Sequence, residues 1–238
     1  MPLYIQPGFT LFFAHVPKTG GSSLRIYLHE RFGPPLLSGW TYVKTKRFPM
    51  MLSPAEHGTV EEIAPYLPER IDYKLALVRD PLGRVFSQYR FQTGKSLMSH
   101  LSFSTWLRVM LRAVAMEPKI HENHIRPQID LILDGSEIFH LEEGFERLAA
   151  RLDQVCGESR PDLSVPHVLR SGRKKAVRCT RQDVERIIRF YAEDYAQLGY
   201  ALPDPATYPD DRLAGLRGLV ATPLAWLLVA WQRYRLKR

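Results

Sequence analysis

The stretch that most limits what this chain can fold into is Phe9 to Leu28, FTLFFAHVPKTGGSSLRIYL. An apolar, aromatic-rich run from Leu11 to Val16 reads as a short buried strand, and Pro17 ends it. Lys18, Thr19, Gly20 and Gly21 then form a loop. Ser22 or Ser23 is placed to cap a helix whose apolar face is Leu24, Tyr27 and Leu28. A strand, a glycine loop and a helix N-terminus make an anion cradle, because backbone N–H groups can approach the ligand and the helix dipole adds positive potential. Lys18 supplies a full charge, and the hydroxyls of Thr19, Ser22 and Ser23 supply further donors. An ordinary strand-to-helix turn needs none of these groups, so the run points to a phosphate ligand.

The nucleotide-triphosphate loop G-x-x-x-x-G-K-[ST] places its Lys after the second Gly. Here Lys18 precedes Gly20 and Gly21, and no Gly opens the loop. A second strand is expected over Tyr73 to Val78. It runs directly into Arg79-Asp80-Pro81-Leu82-Gly83-Arg84-Val85-Phe86-Ser87-Gln88-Tyr89. Asp80 is a good N-cap, Pro81 suits the first helical position, and Val85, Phe86 and Tyr89 supply the apolar face. Two strand-to-helix turns, each armed with a cation, thus follow each other in the chain.

The stretch HVPKTGGSSL resembles the 5′-phosphosulfate loop of sulfotransferases that use 3′-phosphoadenosine 5′-phosphosulfate (PAPS), most closely the carbohydrate 2-O-sulfotransferase group and its bacterial relatives. R-D-P-x-x-R-x-x-S-x-Y, from Arg79 to Tyr89, resembles the 3′-phosphate motif of the same enzymes. Asn123-His124-Ile125-Arg126-Pro127-Gln128 is similar to the family's Asn-His-x-x-Pro-Gln segment. The ending FYAEDYAQLGY is similar to its closing helix, so the likeness runs from about Phe9 to Tyr200.

The resemblance implies an α/β fold: a P-loop-like, mostly parallel sheet with helices on both faces and the cofactor at the strand C-termini. It implies sulfuryl transfer from PAPS to an acceptor hydroxyl of a glycan or glycolipid, with no metal. Lys18, Thr19, Gly20, Gly21, Ser22 and Ser23 would hold the 5′-phosphosulfate, with Lys18 stabilising the leaving phosphate. Arg79 and Ser87 would hold the 3′-phosphate. In the basic loop from Pro166 to Arg178, Ser171, Arg173 and Lys174 would close over the cofactor; a solvated charge run is the alternative. His57, 22 residues before Arg79, stands where the heparan 2-O-sulfotransferase group has its catalytic His. That group has Gly-His where this chain has Glu56-His57, and Glu56 is the reserve base. The alternatives are a non-catalytic PAPS-binding protein tethered to a membrane and a nucleotide kinase, the latter disfavoured by the misplaced Lys.

At 238 residues the chain suits one sizeable α/β domain, taken as residues 1–203, followed by a basic tail over 204–238. Six basic residues and no acidic one lie between Arg212 and Arg238, out of a net charge of +8. The excess is therefore concentrated in the tail, which argues against a nucleic-acid face spread over the body. Leu219 to Trp231 is thirteen residues without a charge, and Pro223 is expected to interrupt it. That is short of the roughly 20 residues a span needs. It suits either an interfacial helix on anionic lipid or a terminal helix packed on the core. No basic n-region and apolar core open the chain, and Cys156 and Cys179 make no disulfide framework. A cytoplasmic location is expected, peripheral on the inner face of the membrane if the tail binds there. His121 and His124 lack the spacing and the third ligand of a metal site. Further strand and helix patterns lie over Glu137–Leu141, Ser104–Ala115, Phe145–Val155 and, as one long helix, Val184–Leu198.

Overall fold

The computed structural model describes residues 1–36, 57–93, 100–166 and 177–236. In chain order the elements are β1 (Leu3–Gln6), β2 (Phe9–Ala14), α1 (Gly21–Phe32), α2 (Val60–Ile63), β3 (Tyr73–Val78), α3 (Pro81–Thr93), α4 (Phe103–Met116), β4 (Glu137–His140), α5 (Glu146–Cys156), α6 (Arg181–Phe190), α7 (Ala192–Gln197) and α8 (Ala214–Leu236). They fall into two compact units: residues 1–79 with 128–172, and residues 80–127 with 173–238.

The first unit carries the sheet, whose order among the described residues is β1-β2-β3-β4. β1 and β2 form an antiparallel hairpin over Pro7-Gly8, with Leu3 opposite Phe12 and Gln6 opposite Phe9. β2 pairs with β3 in parallel, Leu11 to Tyr73 through Ala14 to Ala76, and β3 pairs with β4 in parallel, Leu75 to Glu137 through Val78 to His140. The expected mostly parallel sheet flanked by helices is what the chain forms. The hairpin strand β1 is an addition, because a four-residue run between two prolines carries little periodic signal.

Residues alternate between the faces of the sheet. Leu11, Phe13, Leu75, Leu77 and Phe139 pack against Leu24, Tyr27 and Leu28 of α1 and Leu148 and Leu152 of α5. Phe12, Ala14, Ala76 and Val78, on the opposite face, are also fully buried. Arg31 of α1 donates to Asp153 of α5 at 2.5 Å and to the Glu158 carbonyl at 2.7 Å, tying the two helices together. A Leu24→Ala change in such a layer costs about 2–5 kcal/mol. The parallel register brings the C-terminal ends of β2 and β3 side by side, the position where open α/β sheets bind ligands.

The second unit is helical. Asp80 accepts the Gly83 N–H at 2.7 Å and Pro81 opens α3, as expected from the sequence. Trp106, Leu107, Met110 and Val114 of α4 are buried, and the Trp106 indole N–H donates to Gln92 at 2.6 Å. The pattern from Val184 to Leu198 is two helices, not one. The break is at Tyr191 (φ −106, ψ 29), whose ring is buried and whose hydroxyl donates to the Ile125 carbonyl at 2.7 Å. A tertiary hydrogen bond there outweighs the continuity of the local pattern.

The tail packs on this unit. α8 runs through Pro223 without interruption, contrary to the sequence expectation. Pro223 faces outward, and α8 is held by contacts on its other side, with Ala221, Ala225 and Val229 buried against α4. Ahead of α8, Asp211 accepts from Arg108 at 2.7 Å and also pairs with Arg217. Arg108 reaches Asp183 at 3.4 Å, and Asp183 accepts from Ser104 at 2.5 Å and from Thr180 at 2.8 Å. This buried charge cluster is cross-braced from four segments, which is what makes a buried ion tolerable.

Candidate active site

The loop after β2 is held in a shape few sequences allow. Lys18 sits in the left-handed region (φ 70), as does Gly20 (φ 89). A non-glycine residue held there stores strain of order 1–3 kcal/mol, a feature that clusters at ligand-binding sites. Thr19 is fully buried, and its hydroxyl donates to the Val16 carbonyl at 2.9 Å, so this side chain braces the loop from within. α1 begins at Gly21 with Gly20 as its N-cap and no side-chain cap bond. The expectation that Ser22 or Ser23 caps the helix is therefore corrected: both lie inside the first turn, and the Ser23 N–H donates to the Gly20 carbonyl at 3.0 Å. No acidic residue sits in that turn to compete with an anion.

Gly21 is required by its neighbour. A Cβ there would stand 2.0 Å from Cδ2 and 2.3 Å from Nε2 of His15. The His15 ring is buried, stacks on Phe13 with centroids 5.4 Å apart, and lies 4.9 Å from the ring of His57. His57 Nδ1 is 3.2 Å from the His15 carbonyl oxygen. A carbonyl can only accept, so Nδ1 carries the proton of a neutral His57 and Nε2 is its basic nitrogen. His57 is thereby fixed beside the first turn of α1, through His15 and Gly21.

The second motif reaches the same loop. Arg79 follows β3, and its Nη1 donates to the Lys18 carbonyl at 3.4 Å. The Arg79 backbone is held by Gln128: its N–H donates to Gln128 Oε1 at 3.0 Å, and Gln128 Nε2 donates to the Arg79 carbonyl at 2.8 Å. Gln128 is fully buried. Lys18, Thr19, Gly20, Gly21, Ser22, Ser23, Arg79 and His57 thus belong to one cluster at the ends of β2 and β3. Ser87 lies on α3 in the second unit and is half-buried. Glu56, Ser171, Arg173 and Lys174 lie outside the described residues.

Arg84 has a different task. It is buried, donates to the carbonyls of Arg126 and His124 at 2.8 and 3.2 Å, and lies 5.8 Å from the Tyr191 ring. It braces a loop in which His121, Glu122 and Asn123 are all left-handed, with φ of 51, 56 and 64. Gln232 of α8 closes the other side, accepting from the His121 N–H at 3.1 Å and donating to the Lys119 carbonyl at 3.3 Å. Burial pushes the His121 imidazole down to about 4. Among the described residues, no group of three or more His, Cys, Asp or Glu stands close enough to hold a metal ion.

His15 and Gln128 were not legible as site residues. His15 reads as the polar end of an apolar strand, and Gln128 acts on a backbone 49 positions away. The signal for Gln128 was its place in the Asn-His-x-x-Pro-Gln segment. No local pattern marks His15, because its close approach to Gly21 exists only in the folded chain.

The model of the sulfotransferase family matches residues 1–201. The chain therefore belongs to the sulfotransferase family, whose members catalyse sulfuryl transfer, and the fold fits that membership. No curated protein and no solved structure matches the chain.

Proposed function

We propose that the protein transfers a sulfuryl group from PAPS to an acceptor hydroxyl and releases adenosine 3′,5′-bisphosphate. The observation that carries this reading is the meeting of Arg79 with the Lys18 loop, two cationic motifs at adjacent strand ends. The donor set of the loop suits the cofactor: backbone N–H groups, Lys18 and the hydroxyls of Ser22 and Ser23 match a 5′-phosphosulfate. Arg79 and Ser87 are assigned to the 3′-phosphate by family resemblance. Thr19 contributes its backbone and the bracing of the loop. Ser171, Arg173 and Lys174 are assigned to closure over the cofactor by family resemblance.

When bound, PAPS supplies an activated sulfuryl group on a phosphate leaving group. Lys18 and the helix N-terminus stabilise the charge that gathers on the bridging oxygen as that bond breaks, and no metal is needed for this. His57 Nε2 takes the acceptor hydroxyl's proton during attack. The hydrogen bond from Nδ1 to the His15 carbonyl holds the tautomer this requires. Glu56 is the reserve base.

The acceptor is assigned to a glycan or glycolipid. Residues 1–203 form the transferase portion. The basic tail over 204–238 is assigned to an anionic membrane surface, on the inner face of the cytoplasmic membrane. Calorimetry tests the donor. Adenosine 3′,5′-bisphosphate should bind far better than 5′-AMP or ATP, and Arg79→Ala should weaken it by about 1.5–3 kcal/mol. A preference for ATP with a magnesium requirement would reject the reading in favour of a nucleotide kinase. Bisphosphate binding without turnover on any hydroxyl acceptor would favour a non-catalytic binding protein.

A further inference from the structure

α8 is apolar on the wrong side for a soluble helix. The stripe that packs on α4 is made of small residues, Ala221, Ala225 and Val229, all at most 1% exposed. The opposite stripe carries Leu216, Leu219, Val220, Trp226, Leu227 and Trp231, between 40 and 75% exposed. These positions follow the three- and four-residue spacing of one helix face and form a continuous apolar strip. A strip of that kind left in water marks an interaction surface.

The charge around it says what the occupant is. In the sequence Arg212 and Arg217 precede the strip and Arg233, Arg235, Lys237 and Arg238 follow it, with no acidic residue from Arg212 onward. Arg217 is paired with Asp211 and Arg233 with Glu117, and the remaining four give the segment its excess of positive charge. A second copy of α8, parallel or antiparallel, would set positive ends against positive ends. An anionic lipid surface would neutralise them while taking the apolar strip, and Trp226, Trp231 and Tyr234 are the residues that favour the headgroup boundary.

We propose that α8 lies flat in the headgroup region of an anionic bilayer, with its Leu and Trp strip inserted and its Ala and Val stripe kept on α4. This deepens the assignment of the tail to a membrane surface and does not depend on the sulfuryl-transfer chemistry. By length and composition alone, the 21-residue stretch Ala214–Tyr234 could cross a membrane, with mean hydropathy 1.4 over its most apolar 18 residues. The inner contacts decide against crossing. A spanning α8 would have to leave α4, pull Arg217 off Asp211, and withdraw Gln232 from His121 and Lys119. A polar side chain already committed to two backbone groups of its own unit belongs to a helix that stays docked.

The test uses the full chain with outer-face substitutions, since deleting the tail would also remove the Asp211 partner of buried Arg108. Flotation with phosphatidylcholine vesicles, with and without phosphatidylglycerol, should show binding only when the anionic lipid is present, lost as salt is raised. Tryptophan emission should shift to the blue on binding. Leu219→Gln with Leu227→Gln should cut binding by about tenfold or more, without lowering the melting temperature. Absence of vesicle binding would overturn the proposal, as would equal binding by the double variant. Retention of the protein in cell membranes after alkaline carbonate would show a crossing helix instead. A concentration-dependent dimer abolished by the same two substitutions would assign the strip to a second copy. Bisphosphate binding measured on the same samples without vesicles keeps failure of the donor reading separate from each of these outcomes.

Discussion

The side-chain amide of Gln128 closes on both backbone polar groups of Arg79, accepting its N–H at 3.0 Å and donating to its carbonyl at 2.8 Å. Arg79 stands one residue beyond β3, where ladder pairing has ended and its backbone groups need other partners. Gln128 therefore extends the sheet by one residue using a side chain, and it aims the guanidinium that touches the Lys18 loop. An amide alone can do both jobs, because it pairs a donor with an acceptor on one rigid plane.

Gln128→Met keeps the volume and removes both hydrogen bonds, and Gln128→Glu keeps only the acceptor. Each should lower affinity for adenosine 3′,5′-bisphosphate by about tenfold, the scale of one or two buried hydrogen bonds. Affinity for 5′-AMP, which lacks the group assigned to Arg79, should fall much less. Calorimetry with both ligands checks this. Equal losses for the two would mean that Gln128 supports the whole loop instead of positioning Arg79.

Replacing His57 with Ala should cut turnover by about 10²–10⁴-fold while leaving bisphosphate affinity intact, as expected of a general base. Lys18→Ala should damage binding and turnover together. Single-turnover kinetics under conditions where chemistry limits the rate separates the two. A His57→Ala enzyme with wild-type turnover would move the search for the base to Glu56.

Gly21→Ala should abolish cofactor binding, since its methyl group would stand 2.0 Å from the buried His15 ring. His15→Ala alone leaves a cavity and should cost about 2–4 kcal/mol of stability. The double variant should bind better than Gly21→Ala alone, because the two changes relieve one clash. Binding that is no better in the double variant would locate the defect in the backbone and not in the contact.

Much of this site could be read in the residues because its parts are local. Lys18 to Ser23 is one loop, and Asp80 with Pro81 is a strand-to-helix turn whose chemistry lies within four residues. Thr180 and Asp183 form a capping box whose parts likewise lie within four residues. What escaped was long-range. Gly20 took the cap from the serines because the chain must turn left-handed at that point. Tyr191 broke a continuous helical pattern to bond Ile125, and Pro223 failed to break another because α4 holds α8 from the opposite side. In each case a contact made elsewhere in the chain outweighed the local preference.

The imidazole of His121 gives the second unit an acid-sensitive point. Burial holds it at about 4 in the folded state against an ordinary 6.5. Burial favours the neutral form in the folded state, so stability is complete above pH 6.5 and erodes as the pH falls from 6.5 toward 4, the window in which the unfolded chain takes up the proton and the folded chain does not. Because His121 is left-handed, His121→Asn is the apt replacement, as Asn tolerates that conformation. Urea denaturation should show wild-type stability falling across this window by an amount on the order of 1–3 kcal/mol more than the variant's. Parallel curves would place the acid sensitivity elsewhere.

The clasp of Gln232 on the His121 loop also has a consequence in time. Its two partners are separated by 111 positions in the chain. At ribosomal speeds of about 5–20 residues per second, roughly 5–20 seconds pass between the synthesis of the loop and that of the residue that closes it. Through that interval three consecutive left-handed residues have no clasp on that side, and Tyr191, which secures Ile125, emerges only partway through. The Asn-His segment should therefore be among the last parts of a nascent chain to become protease-resistant, although it lies near the middle of the sequence.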